Sequence, residues 1–392
     1  MTRSLVVWDE SLLAYDLGEH PLDPVRVRLT MALANAYHLL ERPGVTVRKP
    51  AAATDEELGL VHRADYIAAV KAAPDDFFFQ GFGLNTSDNP VFDGMHEASA
   101  LIAGATLTAA RAVWAGEQDR AVNIAGGLHH AMPARASGFC VYNDPAIAIA
   151  DLLAKGAERI AYVDIDVHHG DGVQTAFYDD PRVLTISLHE TPIALFPGTG
   201  FPEETGGPNA EGSAVNVALP PGTNDRDWLR AFHAVVPGLL RAFQPQVLFT
   251  QCGADPHRLD PLADLRLSVD GQRAAYHALR DLAEELCGGR WIATGGGGYA
   301  LVEAVPRAWT HLLATITGDQ LDPATLIPRE WIDLAESLCP ERVAPQRMTD
   351  DGDVRYVPWV PEAEPTPLDR AILATRKAVF PLHGLDPYDP RD

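Results

Sequence analysis

Three side chains able to hold a metal, Asp164, Asp166 and His168, alternate within the segment Asp164-Ile165-Asp166-Val167-His168-His169-Gly170-Asp171-Gly172. The apolar run Arg159 to Val167 reads as a strand, on which every second side chain shares a face. That puts the three on one side and Ile165 and Val167 on the other. Isolated buried charges would each cost several kcal/mol. A cation among them offsets that cost; a salt-bridged polar rim is the plainer alternative. A second strand, Gln246 to Cys252, runs into Gly253-Ala254-Asp255. Asp166, His168 and Asp255 then make a two-carboxylate, one-imidazole set with an open position, the form of a catalytic zinc site. So oxygen-rich a set also suits Fe(II), Co(II) or Mn(II). On its own, Asp255 would read as a loop or capping aspartate.

A further strand end carries Gly126-Gly127-Leu128-His129-His130-Ala131. One histidine after a glycine turn is ordinarily structural, but two in a row each need a partner that sets the tautomer. Asp164 and Asp171 are available, giving two Asp–His dyads able to take a proton from an attacking water and return it to a leaving group. The run Gly295-Gly296-Gly297-Gly298-Tyr299 lacks the Lys-Ser/Thr of a phosphate loop. Its glycines permit close backbone approach, and Tyr299 can donate to a developing oxyanion or be a core tyrosine. Gly138-Phe139-Cys140 and Leu195-Phe196-Pro197-Gly198-Thr199-Gly200 look like walls, their two phenylalanines flanking a slot for an alkyl chain.

These residues need a scaffold, and the rest of the 392-residue chain supplies its pattern. Apolar residues are 46% and charged residues 22%, which excludes a disordered chain. No apolar run reaches the roughly 18 residues of a membrane span, and Met1 to Trp8 reads as a first strand, not a signal peptide. Lys and Arg number 31 against 54 Asp and Glu, a net charge of −23. A field of that sign opposes nucleic acid and anionic lipid. Cys140, Cys252, Cys287 and Cys339 show no C-x-x-C spacing and read as reduced thiols of a cytoplasmic protein. Strands at Leu5–Trp8, Ala121–Ala125, Arg159–Val167, Val183–Leu188, Ala214–Leu219, Gln246–Cys252 and Trp291–Thr294 alternate with helices at Arg26–Leu40, Met95–Ala115, Pro145–Lys155, Asp225–Phe243, Asp270–Leu286 and Leu301–Thr315. The expected fold is α/β: a single domain with a central, mostly parallel sheet flanked by helices on both faces. In such sheets ligands bind beyond the carboxyl ends of the strands, where all these polar residues fall. From Gly318 proline and acid become frequent and the rhythm fades, so residues 1–317 read as the main domain and 318–392 as an appendage, with one helix expected over Arg370–Val379.

GGLHHA, GFCVYND, YVDIDVHHGDG, SLHE, FPGTG, QCGAD and GGGGY occur in this order. Together they resemble the arginase–deacetylase superfamily and, within it, the zinc-dependent histone deacetylases, over roughly residues 15 to 310. HPLDPVRVRLT, DNPVFDGMHEAS and AMPARASGFCVYNDPAIAI are most similar to bacterial acetoin-utilisation deacetylases. The resemblance implies Asp166, His168 and Asp255 as ligands of Zn2+ (or Fe2+), and His129 and His130 as catalytic histidines with Asp164 and Asp171 as partners. It implies Tyr299 as the residue polarising the amide carbonyl. Gly138, Phe139 and Phe196 would form the acetyl-lysine tunnel, with Leu262 and Asp88 at its rim and Gly297 beside the substrate. Arg26 would sit near an inner acetate cavity, and a structural K+ near Asp164, Asp166, His168, Ser187 and Leu188.

The activity so implied is hydrolysis of N-ε-acetyl-lysine in an acetylated protein or peptide, an acyl-CoA synthetase being the candidate partner, with no nucleic acid or membrane and the oligomeric state left open. An acetylpolyamine amidohydrolase would use the same site. An arginase-type ureohydrolase would want Asp-x-His-x-Asp patterns for two manganese ions, whereas this chain has Asp-x-Asp-x-His-His and Tyr299. A catalytically silent acetyl-lysine reader finds no support, since every catalytic position is filled. Thr191-Pro192-Ile193-Ala194 departs from the Gly-Arg-Tyr-like stretch of acetoin-type relatives, at a loop expected to shape the entrance.

Overall fold

Near-continuous apolar runs bounded by Gly, Pro and Asn become strands buried on both faces. A computed structural model describes residues 2–76, 81–318 and 320–392. In chain order its regular elements begin β1 (Ser4–Val7), α1 (Val25–Ala36), β2 (Val45–Arg48), α2 (Asp55–Leu58), α3 (Ala64–Ala72), α4 (Met95–Trp114), β3 (Arg120–Asn123) and α5 (Asp144–Ala154). There follow β4 (Ile160–Asp164), α6 (Asp171–Phe177), β5 (Val183–Glu190), β6 (Ala214–Leu219), α7 (Asp225–Phe243) and β7 (Val247–Gln251). The last are α8 (Val269–Cys287), β8 (Trp291–Thr294), α9 (Val305–Ile316), α10 (Arg329–Leu338) and α11 (Pro367–Val379).

Among the described residues the strands form one sheet in the order β2-β1-β3-β8-β7-β4-β5-β6, every neighbouring pair parallel. Successive residues of a strand enter opposite cores. Val6, Ala161 and Val163 pack with the apolar faces of α1, α7, α8 and α9. Leu5, Val7, Ile160 and Tyr162 pack with α4 and α5. Each fully buried Val, Leu, Ile or Phe contributes about 1.5–3 kcal/mol. Helix ends follow local chemistry: the Asn143 side chain accepts from Ala146 N at 3.0 Å to start α5, and Ser268 starts α8 while Gly288, at φ +60°, ends it. No helix among the described residues is long and apolar enough to cross a membrane.

Three boundaries differ from the sequence reading in ways that matter. β4 stops at Asp164, not Val167, so Asp166 and His168 project from an irregular segment and do not share a strand face with Asp164. β5 continues to Glu190 because it stays paired with β6 through Leu219. α9 begins at Val305, since Pro306 fits only a first helical turn.

Beyond Gly318, α10 lies on α1 and α11 lies across β6 and α7. Trp331, Ile332, Leu368, Ile372 and Phe380 join the core on that side of the sheet. The buried Arg376 guanidinium donates to the carbonyls of Ala234, Asp386, Pro387, Asp389 and Asp392. It lies 4.0 Å from the Phe380 ring and 4.8 Å from the Trp359 ring. The four cysteines are buried and free.

Candidate active site and metal centre

Four adjacent strands, β3, β8, β7 and β4, end at one edge of the sheet. The loops leaving them bring together His129 and His130, Gly295 to Tyr299, Asp255, and Asp166 with His168. One oxygen or ring nitrogen from each of Asp166, His168 and Asp255 lies within 4.8 Å of the others, and all three residues are buried. His168 Nδ1 is 3.1 Å from Asp166 Oδ1 and 3.1 Å from Asp255 Oδ2. Gln251 Nε2 and Gly297 N donate to Asp166 Oδ2 at 2.6 and 2.8 Å, and Val167 N donates to Asp255 Oδ1 at 3.0 Å. A Cβ on Gly297 would overlap Asp255, and one on Gly253 would overlap Asp166; this explains the glycines. Burial pushes the Asp255 carboxyl up to about 7, and the Asp166 charge adds to the effect. Two carboxylates this close in a dry site resist ionising together. A divalent cation relieves that repulsion, and two carboxylates plus an imidazole are a donor set it accepts.

Beside this triad, His129 Nδ1 donates to Asp164 Oδ2 at 2.8 Å and His130 Nδ1 donates to Asp171 Oδ1 at 2.6 Å. The Tyr162 hydroxyl donates to the same Asp164 oxygen at 2.6 Å. Burial alone would lower both imidazoles. For His129 the Asp164 and Asp166 carboxylates outweigh burial and raise it to about 9. For His130 burial prevails, the His129 charge adds to it, and the imidazole falls to about 4. The Tyr299 hydroxyl is held well above its ordinary value by burial and then by Asp255, so it remains a donor.

A cavity of about 220 Å³ opens above these groups, lined by Asp88, His130, Gly138, Phe139, His168, Leu195, Phe196, Leu262 and Tyr299. Phe139 meets Tyr299 edge to face at 5.7 Å, and Phe196 meets His130 at 5.1 Å. Gly138, at φ +51°, has no room for a Cβ, which would strike the His130 ring. Arg26 lies behind Tyr299, its Nη1 donating to Gly298 O at 2.8 Å and its guanidinium 5.8 Å from the tyrosine ring.

Every residue expected at the site is therefore near it, with two refinements. Gly297 sits under the Asp166 and Asp255 carboxylates and is not among the residues lining the cavity. Ser187 on β5 lies in register with Asp164 on β4, next to Leu188, and its hydroxyl is 2.8 Å from His189 Nδ1. The sequence reading missed the groups that hold the histidine turn. Asp144 accepts from Gly127 N and Leu128 N, while Asn143 Nδ2 donates to the carbonyls of His129 and Ala131 at 3.1 and 3.0 Å. His62 Nε2 accepts from Asn143 N at 2.9 Å. The one local signal was the Asn143-Asp144 pair just before Pro145.

Residues 20–316 match the family model described as "Histone deacetylase domain". The chain is 40% identical over 385 residues to the acetoin utilization protein AcuC of Bacillus subtilis, covering 96% of this chain and 98% of that one. It is 36% identical over 368 residues to AcuC of Staphylococcus aureus, covering 92% and 94%. Among solved structures, an HDAC homolog from Aquifex aeolicus superposes with a TM-score of 0.80 at 30% identity, over 95% of this chain and all of that one. An HDAC homolog complexed with SAHA does so with a TM-score of 0.81 at 30% identity, over 96% of this chain and all of that one.

Proposed function

This chain belongs to the histone deacetylase family, and from that premise we propose that it hydrolyses the N-ε-acetyl-lysine amide of proteins or peptides in the cytoplasm, releasing acetate. It is a deacetylase of the AcuC-like kind; the lysine substrate, the zinc ion and the roles of single residues are our reading. The observation that carries it is the lining of the cavity: Phe139 and Phe196 form an apolar wall beside His130, His168 and Tyr299. Such a wall suits an unbranched alkyl chain, whose terminal amide would then reach those groups.

Asp166, His168 and Asp255 would hold zinc, with Fe(II) as the alternative, and the ion when bound supplies Lewis acidity that polarises the carbonyl and acidifies water. Phe139 and Phe196 desolvate the butyl chain and orient the amide. Asp88 and Leu262 meet the backbone at the rim. His130, neutral and fixed in its tautomer by Asp171, would exchange the His129 hydrogen bond at its Nε2 for the attacking water, take a proton there and return it to the departing lysine nitrogen. His129, paired with Asp164, stays cationic and stabilises negative charge. The Tyr299 hydroxyl donates to the amide oxygen as charge builds there. Arg26 lies on the inner side, where acetate leaves. The same reading assigns a structural potassium ion to the backbone around Asp164, Asp166 and His168, beside Ser187 and Leu188.

The test is acetate release from an acetyl-lysine peptide and from acetylated polyamines in parallel, with metal-stripped protein and after zinc or Fe(II) is restored. Metal-dependent turnover of the peptide is the expected result. Turnover of polyamines alone would overturn the protein substrate and move the enzyme to small-molecule metabolism.

A further inference from the structure

Four consecutive glycines precede Tyr299, and two of them, Gly296 and Gly298, have φ of +146° and +142°. Such a run has no side chains to lock it, so the place of the Tyr299 ring depends on what grips the backbone from outside. Ala254 N donates to Gly297 O at 2.7 Å, and Arg26 holds Gly298 O. The peptide N–H of Tyr299 itself donates to Asp260 Oδ2 at 2.7 Å. The other oxygen of the same carboxylate accepts from Leu262 N at 3.0 Å. Asp260 is buried, and it makes neither an ion pair with a basic residue nor a face of the cavity among the described residues. A buried carboxylate without a cation is costly unless the hydrogen bonds it accepts matter.

The loop that carries Asp260 is itself anchored. Asp260 N donates to His257 O, Arg258 N to Leu267 O, and Leu267 N to Pro256 O. His257 Nδ1 accepts from Leu259 N at 3.2 Å, which leaves Nε2 to donate to Asp350 Oδ2 at 2.9 Å. A fixed loop thus presents one carboxylate to two residues that line the cavity, Tyr299 deep within it and Leu262 at its rim.

We propose that Asp260 is a positioning residue for the reaction: its carboxylate bridges Tyr299 and Leu262 and thereby sets the distance of the tyrosine hydroxyl from the substrate amide. The inference rests on the reading of Tyr299 as the oxyanion donor. A displacement of about 1 Å at such a donor can cost about 10²-fold in rate.

The experiment is a double-mutant cycle on the metal-loaded enzyme with an acetyl-lysine peptide, using Asp260→Ala, Asp260→Asn, Tyr299→Phe and the two combinations. Asp260→Ala should lower kcat by about 10- to 100-fold with KM within about threefold, a split that general loosening of the fold does not produce. In the Tyr299→Phe background the same change should cost less than about threefold more, because the group it acts through is already gone. Asp260→Asn, nearly isosteric, keeps one acceptor and should fall between; it carries the test if the alanine variant does not fold. Unchanged kcat in both Asp260 variants, or full multiplication of the two losses, overturns the proposal. A Tyr299→Phe enzyme as active as wild type would instead remove the role of Tyr299, and that outcome is read from a separate arm.

Discussion

The Nε2 atoms of His129 and His130 lie 3.0 Å apart, each ring already committed at Nδ1 to its own aspartate. Two nitrogens so placed share one proton, and it resides on His129, the more basic ring. On the proposed mechanism, a proton taken up by His130 faces the charge next door and is given up readily to the leaving amine. Replacing His130 by Ala should lower kcat by about 10²–10⁴-fold, the range for a general acid–base. Replacing His129 should cost less and move the acid limb of the pH–rate profile upward, because the charge that depresses His130 is removed. Profiles of kcat/KM for both variants check this; an acid limb that moves downward, or stays, refutes the pairing.

Tyr299 lines the cavity as a buried residue with its hydroxyl held protonated. Tyr299→Phe removes one hydrogen-bond donor and little volume. We expect turnover to fall by about 10²–10³-fold with the melting temperature unchanged. Turnover within a few-fold of wild type would take the oxyanion role away from this residue.

Asp166 and Asp255 repel one another in the absence of a cation. Chelation should therefore abolish turnover and also lower the melting temperature, while added zinc or Fe(II) restores both. Asp255→Asn should weaken metal retention measured by elemental analysis. A chelated enzyme that melts as before and still turns over would rule out the metal centre.

His62 is a buried neutral imidazole, lowered by burial from its ordinary 6.5 to about 4. Its Nδ1 donates to Met132 O and its Nε2 accepts from Asn143 N, so it has no place for a second proton. Between pH 6.5 and 4 the unfolded chain binds that proton and the folded chain does not, so stability drops as pH falls through this window, by about 1–3 kcal/mol. Denaturant titrations across the window measure the slope, which His62→Gln should flatten.

Asp350, from the stretch after the sheet, accepts from Arg307 Nη1 at 2.8 Å, His257 Nε2 at 2.9 Å and Val269 N at 2.9 Å. The buried Arg307 and the hydrogen bonds hold its carboxyl below the usual carboxylate range despite burial. Asp350→Ala leaves Arg307 buried without its carboxylate and should cost about 3–5 kcal/mol. The wild-type contribution is present above about pH 4 and lost as acid protonates the group. A variant as stable as wild type at neutral pH would show that this stretch is not tied to the sheet through Asp350.

What the sequence made legible was whatever one strand and its following loop contain. β6, α7 and β8 match their expected limits because Pro220-Pro221 stops β6, Asn224-Asp225 opens α7 and Gly295 follows β8. The clustering of Asp166, His168 and Asp255 was readable because each follows a recognisable strand. β2 escaped notice because it is an edge strand with half-exposed side chains and no continuous apolar run. α6 escaped because it has only seven residues. The supports of the site escaped for a different reason. Asn143 reaches the His129 carbonyl, Gln251 reaches Asp166, and Asp260 reaches Tyr299 only after the sheet has brought distant segments together. No local period encodes such contacts.

The strand order has a consequence for how the molecule comes into being. β7 and β8 lie between β3 and β4 in the sheet but follow them in the chain. On a ribosome adding about 5–20 residues per second, on the order of ten seconds separate the emergence of β4 from that of β8. Until β7 emerges β4 offers a bare edge, and until β8 emerges β3 does, and such edges invite pairing with other chains. His129 and His130 are made early, Asp255 and Tyr299 late. The candidate site is thus incomplete until the middle of the sheet, filled last, has been made.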